Sequence, residues 1–137
     1  MKKVLFVCTG NTCRSPMAQG IFNKMCSDKC IDAKADSAGI FANALDTASE
    51  NSAIVCKEIG VDISNRKAVP IDRVDLSQYD LICPMTVEHA QMLVSLGADR
   101  DKICVMNIPD PFGGDLDIYR KCREEIEKAL GELIEKL

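Results

Sequence analysis

The chain alternates short apolar runs with stretches in which apolar residues recur at helical spacing. Residues 4–7 are apolar at every position, which is typical of a parallel strand covered on both faces. A polar loop follows, and Ser15 and Pro16 then predict the N-cap and first residue of a helix with apolar positions three and four apart. The N-terminal segment is therefore predicted to form a strand, a loop and a helix.

The same alternation continues to the C-terminus. Apolar runs predict further strands at residues 33–38, 79–83 and 102–106. Helices are predicted after the capping-box sequence at residues 47–50, after Thr86, and over residues 118–137. This order of elements predicts an α/β fold with three layers.

Right-handed crossovers favour a four-stranded parallel sheet of strand order 2-1-3-4 with helices on both faces. Ligands of such sheets bind at the carboxyl ends of the strands, beside the point where the strand order reverses. The loop after the first strand lies at that point. We therefore expect the functional site there.

Composition narrows the classes of function. With 137 residues, 47% of them hydrophobic, the chain is expected to form one domain over residues 1–137. Its net charge of −4 argues against nucleic acid as a partner. No apolar stretch reaches the ~18–20 residues of a membrane span, so a membrane partner is not expected. Eight cysteines are too few for a disulfide scaffold, which indicates reduced thiols and a cytoplasmic protein.

A metal site is not expected either. His89 is the only histidine, and the cysteines form no Cys-x2-Cys pair. His89 is predicted to lie on the surface of the helix that Thr86 opens, rather than to form a catalytic pair with a cysteine.

The loop after the first strand carries the strongest candidate chemistry. It reads Cys8-Thr9-Gly10-Asn11-Thr12-Cys13-Arg14-Ser15. Five residues between the cysteine and the arginine are enough to wrap the backbone into a cup with inward N–H groups, and Arg14 can hold two phosphate oxygens. The helix N-terminus and Arg14 also favour the thiolate of Cys8. We interpret residues 9–15 as a phosphate-binding loop and Cys8 as a nucleophile that attacks phosphorus.

The group that leaves phosphorus needs an acid to protonate it. Asp110 is the best candidate, because it follows the last predicted strand and so lies at the same sheet edge as Cys8, with Pro111 fixing its position. Phe112 is expected to line the mouth of the pocket. Cys8, Arg14 and Asp110 are the predicted catalytic residues.

These motifs resemble the low-molecular-weight protein tyrosine phosphatases. The resemblance rests on residues 7–18 and on Asp110-Pro111-Phe112, and it extends to Ser37-Ala38-Gly39 and Asp117-Ile118-Tyr119. It implies two-step hydrolysis through a phosphocysteine at Cys8, with no cofactor and no metal.

The resemblance also implies supporting roles. Ser15 would help to stabilise the Cys8 thiolate, and Asn11 would brace the loop. Many relatives carry a histidine that supports this asparagine, whereas this chain has Arg66 in the matching segment. That departure leaves the support of the loop open.

Thr12 bears on the substrate. The tyrosine phosphatases of the family commonly carry a bulkier aliphatic residue there, whereas the bacterial protein arginine phosphatases are similar to this chain in having threonine. A short side chain with a hydroxyl leaves space and a hydrogen-bonding group for a planar guanidinium or for the hydrolytic water. We therefore expect a cysteine-dependent phosphatase that hydrolyses phosphoarginine on a phosphorylated protein partner. Thr12, Phe41 and Phe112 are the candidate specificity residues, and a monomer is expected although the oligomeric state is left open.

Three alternatives remain open. The first is a tyrosine phosphatase of the same family. The second is a redox enzyme similar to arsenate reductases, whose relay needs a second cysteine where this chain has Ala90 after Cys83. The third is a phosphocysteine carrier, for which Arg14 and Asp110 would be superfluous.

Cys13 also has two interpretations. It lies five residues after Cys8, so a reversible disulfide is plausible, but a small loop residue that faces the core fits the sequence equally well.

Overall fold

The computed structural model describes residues 1–137 and contains a parallel sheet with helices on both faces. The strands are β1 (Lys2–Cys8), β2 (Ala33–Gly39) and β3 (Leu81–Pro84), in the order β2-β1-β3. The helices are α1 (Arg14–Asp28), α2 (Glu50–Lys57), α3 (Val87–Ser95) and α4 (Leu116–Glu135). None of them combines the length and the apolar character needed to cross a bilayer. The α/β class and the flanking helices are confirmed.

The central position of β1 explains its apolar run, because both faces of the strand are covered. Its side chains alternate between two cores. Val4 and Phe6 are fully buried in the larger core, to which α1, α2 and α4 contribute. Leu5 and Val7 are fully buried on the opposite face, where they pack with Leu93 of α3.

Only three strands form, so the prediction of a fourth strand at residues 102–106, and of the order 2-1-3-4, is wrong. The segment runs beside β3, and the N–H groups of Cys104 and Met106 donate to the carbonyls of Ile82 and Pro84 at 2.9 and 2.8 Å. A single bridge, at Ile82, joins it to the sheet. The next ladder hydrogen bond would need a backbone N–H at Pro84, which proline lacks. The segment therefore lies against β3 as extended chain.

Side-chain caps fix the starts of three helices, but α1 begins differently. The starts of α2, α3 and α4 are capped by Ser49, Thr86 and Asp115. α1 begins at Arg14 after Cys13, without a side-chain cap, so the prediction of Ser15 as its N-cap is wrong. The first N–H groups of α1 consequently stay available to a ligand in the preceding loop.

The parallel register brings the carboxyl ends of β1 and β2 together. Cys8 at the end of β1 lies opposite Gly39 at the end of β2. A β-carbon on Gly39 would lie 2.6 Å from the carbonyl oxygen of Thr9 and 2.9 Å from the backbone nitrogen of Asn11. Glycine is therefore needed at this position for the loop after β1 to approach the end of β2.

Candidate active site

The loop between β1 and α1 forms the floor of a cavity of about 350 Å³. The cavity is lined by Cys8, Thr9, Gly10, Thr12, Cys13, Arg14, Asp46, Asp110 and Phe112. Two of the predicted phosphate-binding residues, Asn11 and Ser15, are fully buried and do not line it. The sequence therefore predicted most of the lining, and the structure places these two side chains behind it.

Ser15 contacts the candidate nucleophile directly. The Cys8 sulfur lies 2.8 Å from the Ser15 hydroxyl oxygen, and both residues are buried. The Asn11 side-chain amide donates to the same hydroxyl oxygen at 2.7 Å. Since Asn11 is the donor in that contact, the Ser15 hydroxyl keeps its own proton and can donate it to the sulfur. Such a bond stabilises a thiolate more than a thiol.

Asn11 connects the loop to the segments around it. Its backbone is in the left-handed region, with φ 56°, which is costly for a residue other than glycine. Its side-chain nitrogen also donates to the Ser37 hydroxyl at 3.0 Å, and its side-chain oxygen accepts the N–H of Val69 at 2.9 Å. These hydrogen bonds hold the loop in a conformation that Asn11 would otherwise seldom adopt.

Arg66 completes this support. One guanidinium nitrogen donates to the side-chain oxygen of Asn11 at 2.9 Å, and another donates to the side-chain oxygen of Gln19 at 2.9 Å. The guanidinium also donates to the carbonyl of Ser37 at 3.2 Å. Burial lowers the pKa of Arg66, whereas negative charge on Cys8 and Asp36 opposes that shift. An arginine therefore occupies the position from which a histidine was expected to support the loop.

Arg14 and Asp110 meet across the cavity. Arg14 is buried, donates to the carbonyl of Ile108 at 3.0 Å, and places a second guanidinium nitrogen 3.7 Å from an Asp110 carboxylate oxygen. The Asp110 side chain is 51% exposed, and its other oxygen accepts the N–H of Phe112 at 3.0 Å. A fixed cation on the floor and an accessible carboxyl at the mouth suit phosphate binding and proton transfer, respectively.

The three candidate specificity residues do not lie together. Thr12 is half-buried and lines the cavity, and Phe112 lines its mouth with 82% of its surface exposed. Phe41 is 71% exposed and does not line the cavity, although its N–H donates to the Thr9 carbonyl at 2.9 Å. Thr12 and Phe112 are therefore the two that a substrate in the cavity would meet first.

His89 reaches the loop, so the prediction of a surface histidine is wrong. It is only 7% exposed, and its Nε2 lies 2.9 Å from the Thr9 hydroxyl. Its Nδ1 lies 2.9 Å from the hydroxyl of Thr86, the cap of α3. Burial, and then the charge of Arg14, lower the pKa of His89 and so favour the neutral ring. Its position three residues after a capping threonine was the one signal in the sequence for this contact.

Cys13 borders the cavity, but it is buried and its side chain packs in the larger core. Its sulfur lies 3.4 Å from the Tyr119 hydroxyl and 3.5 Å from the Ser49 hydroxyl, and all eight cysteines are free. Burial and the contact with Cys13 raise the pKa of Tyr119 to about 12. The interpretation of Cys13 as a loop residue that faces the core is confirmed, and the disulfide with Cys8 stays a prediction.

Asp46 is a lining residue that the sequence did not indicate. It lies in the segment between β2 and α2, and its exposed carboxylate makes no hydrogen bond or ion pair within the protein. No periodicity or motif marks this position, because the segment is irregular.

Known proteins are similar to this chain in sequence and in architecture. Residues 3–137 match the family model of the low molecular weight phosphotyrosine protein phosphatases. The chain is 33% identical to the protein-arginine-phosphatase of Bacillus subtilis (strain 168), over 98% of this chain and 95% of that protein.

Two solved structures bear on the chemistry. The low molecular weight protein tyrosine phosphatase from T. tengcongensis is 41% identical, with a TM-score of 0.95 and full coverage of both chains. The YwlE arginine phosphatase, solved as a cysteine-to-serine mutant with a phosphorylated active-site serine, is 32% identical, with a TM-score of 0.91 over 98% of this chain and 95% of that one.

Proposed function

This chain belongs to the low molecular weight phosphotyrosine protein phosphatase family and is a phosphatase, and we propose that it hydrolyses phosphoarginine through a phosphocysteine on Cys8. The observation that carries the proposal is that Thr12, a short residue with a hydroxyl, lines the cavity that Cys8 and Asp110 also line. Both substrate classes occur among the relatives, so the choice between them rests on the side chains around the leaving group.

In the first step, the Cys8 thiolate attacks phosphorus and an S–P bond forms as the P–N bond to the guanidinium breaks. Arg14 and the N–H groups of the loop hold the three phosphoryl oxygens. The electron pair of the P–N bond stays on the departing nitrogen, which takes the proton of Asp110, so the arginine side chain leaves as a guanidinium and Asp110 is left as a carboxylate. The buried Ser15 hydroxyl stabilises the thiolate before attack, at the 2.8 Å contact.

In the second step, water hydrolyses the phosphocysteine. Asp110, now ionised, accepts a proton from the water as its oxygen attacks phosphorus. The S–P bond breaks, the Cys8 thiolate is restored and inorganic phosphate leaves. The phosphorylated serine of the related mutant supports this assignment, because a serine in place of the nucleophile can accept the phosphoryl group but releases it poorly.

The substrate is proposed to be a phosphorylated protein, encountered in the cytoplasm. The eight free thiols support a reducing compartment. An arsenate reductase is disfavoured, because Ala90 stands where its relay needs a second thiol after Cys83. A phosphocysteine carrier is disfavoured because it has no use for the Asp110 carboxyl at the cavity mouth.

Substitutions of Thr12 test the choice of substrate. Thr12→Ile adds apolar bulk and removes a hydrogen-bonding group, which we expect to lower kcat/KM for a phosphoarginine peptide at least about tenfold. The value for a phosphotyrosine peptide should stay unchanged or rise. Thr12→Val removes the hydroxyl at nearly constant volume, and Thr12→Ser keeps the hydroxyl, so these variants separate the two causes.

The first measurement is the preference of the unsubstituted parent enzyme between phosphoarginine and phosphotyrosine peptides. A parent that prefers phosphotyrosine overturns the arginine assignment and leaves a tyrosine phosphatase. An equal loss on both substrates in Thr12→Ile would show that Thr12 acts on the loop rather than on the leaving group.

A further inference from the structure

We propose that the Asp46 carboxylate recognises the guanidinium group of the substrate by accepting its N–H groups. This role rests on the proposed function. Asp46 lines the same cavity as Cys8 and Arg14 and lies in the segment between β2 and α2. Hydrolysis of a phosphate ester uses one carboxyl group, as the acid, and Asp110 supplies it. The second carboxylate of the cavity therefore needs a separate explanation.

A carboxylate is an unfavourable neighbour for a phosphate group. The floor of the cavity is built for a dianion, and a nearby negative charge weakens its binding through like-charge repulsion. A phosphotyrosine offers this carboxylate only a neutral ring. A phosphoarginine keeps N–H donors on the two guanidinium nitrogens that are not phosphorylated, and a carboxylate can accept them as charge-assisted hydrogen bonds. Asp46 thus disfavours phosphate esters and favours guanidinium phosphates.

The protein holds Asp46 in place through its backbone rather than its side chain. The N–H of Asp46 donates to the carbonyl of Asn43 at 2.9 Å, and its carbonyl accepts the N–H of Ala68 at 2.9 Å. Three residues later, the N–H of Ser49 donates to the carbonyl of Thr12 at 2.8 Å, which ties this segment to the phosphate-binding loop. The carboxylate itself has no partner within the protein, so both of its oxygens remain available to a substrate.

Phe112, which also lines the cavity, can contact the same substrate. Phe112 lines the cavity and is 82% exposed, which gives the three methylene groups of an arginine side chain an apolar surface. A phenol ring would also pack on Phe112, so this residue adds contact without discrimination. Discrimination is left to Asp46 and Thr12, which offer polar groups to the leaving nitrogen and its neighbours.

The test compares Asp46→Asn with the parent on matched phosphoarginine and phosphotyrosine peptides. Loss of a charge-assisted hydrogen bond should lower kcat/KM for phosphoarginine about tenfold, while the value for phosphotyrosine stays or rises. Inorganic phosphate should inhibit the variant more strongly than the parent, by about two- to threefold, because a like charge has been removed. Glu50→Gln is the matched control, since Glu50 is an exposed acid four residues away that does not line the cavity.

The outcomes separate the two hypotheses. A parent that prefers phosphotyrosine overturns the proposed function, and the role of Asp46 with it. A parent that prefers phosphoarginine, with the same substrate ratio in Asp46→Asn, overturns the role of Asp46 alone. A parallel loss on both substrates with a lower Tm also overturns it, because Asp46 would then only support the segment. A changed ratio in Glu50→Gln would show a general charge effect and contradict a specific contact.

Discussion

The floor of the cavity and its rim are built in opposite ways. The floor is the loop at residues 8–15, in which Cys8, Asn11 and Ser15 are buried and joined by hydrogen bonds of 2.7 and 2.8 Å. The rim comprises Asp46, Asp110 and Phe112, which are exposed. The Asp46 side chain makes no hydrogen bond or ion pair, whereas Asp110 accepts the N–H of Phe112 and lies 3.7 Å from Arg14.

This contrast separates the chemistry from the choice of substrate. A phosphoryl group is the same in every phosphoprotein, so a floor that holds it can be rigid and fully bonded. The leaving group varies, and it meets side chains that can be replaced without loss of buried contacts. We therefore expect substitutions of the buried floor residues Cys8, Asn11 and Ser15 to change all substrates alike. Substitutions in the rim, and at Thr12, the floor residue proposed to meet the leaving group, should change the ratio of the substrates.

The largest effect should come from the centre of the floor. Cys8→Ser should lower kcat by at least about 10⁴-fold on both peptides, because the hydroxyl is a far weaker nucleophile than the thiolate. The variant should stay folded and still bind vanadate, since Arg14 and the loop N–H groups are unchanged. Turnover on both substrates and vanadate binding by calorimetry check this prediction.

Cys30→Ser provides the control, because Cys30 is exposed and follows the C-terminal end of α1, whereas the loop adjoins the N-terminal end of that helix. It should keep full activity. Appreciable hydrolysis by Cys8→Ser would mean that another group attacks phosphorus, and it would overturn the assignment of Cys8 as the nucleophile.

The sequence predicted the floor of the cavity better than it predicted the rim. The order of Cys8, Arg14 and Ser15 after an apolar strand predicted the floor, because a strand, a tight loop and a helix N-terminus confine these residues to one place. Asp110 was predicted because the carboxyl ends of parallel strands share one edge. Asp46 was not, since its segment has no periodicity and its position depends on hydrogen bonds to a distant part of the chain.

Two errors in the prediction have a local physical cause. The fourth strand failed because Pro84 lacks the N–H that the ladder needs, a consequence that appears only once its neighbour in the sheet is known. His89 was placed on the surface because helical position alone does not show which face of α3 meets the loop. The single-domain assignment over residues 1–137 stays a prediction.

Asp110→Asn should have the next largest effect, and it tests whether a rim residue takes part in the chemistry. Loss of a general acid typically costs about 10²–10⁴ in rate. The loss should be greatest for substrates whose leaving group must be protonated, and least for an aryl phosphate with a good leaving group. Asparagine can still accept the N–H of Phe112, so the loop keeps its shape. The measurement is kcat of the parent and of Asp110→Asn on a series of substrates whose leaving groups differ in their need for a proton.

Asp117→Asn is a suitable control, because Asp117 lies in the first turn of α4 and pairs with Arg120 on the surface. It should leave kcat unchanged for every leaving group. An equal loss for good and poor leaving groups in Asp110→Asn would show that Asp110 only shapes the rim.

The smallest effect concerns Arg66, the outermost support of the floor. Arg66→Met removes the donors to Asn11 and Gln19, so Asn11 loses part of what holds its left-handed backbone, a conformation that costs ~1–2 kcal/mol. We expect kcat/KM to fall about tenfold on both peptides alike, because the floor serves every substrate. Arg66→Lys keeps a hydrogen-bond donor and should retain part of the lost rate, whereas Arg73→Met, at an exposed arginine outside the site, should leave kcat/KM unchanged. If the fall in Arg66→Met is confined to phosphoarginine, Arg66 contributes to substrate choice, and the division between floor and rim does not hold at this residue.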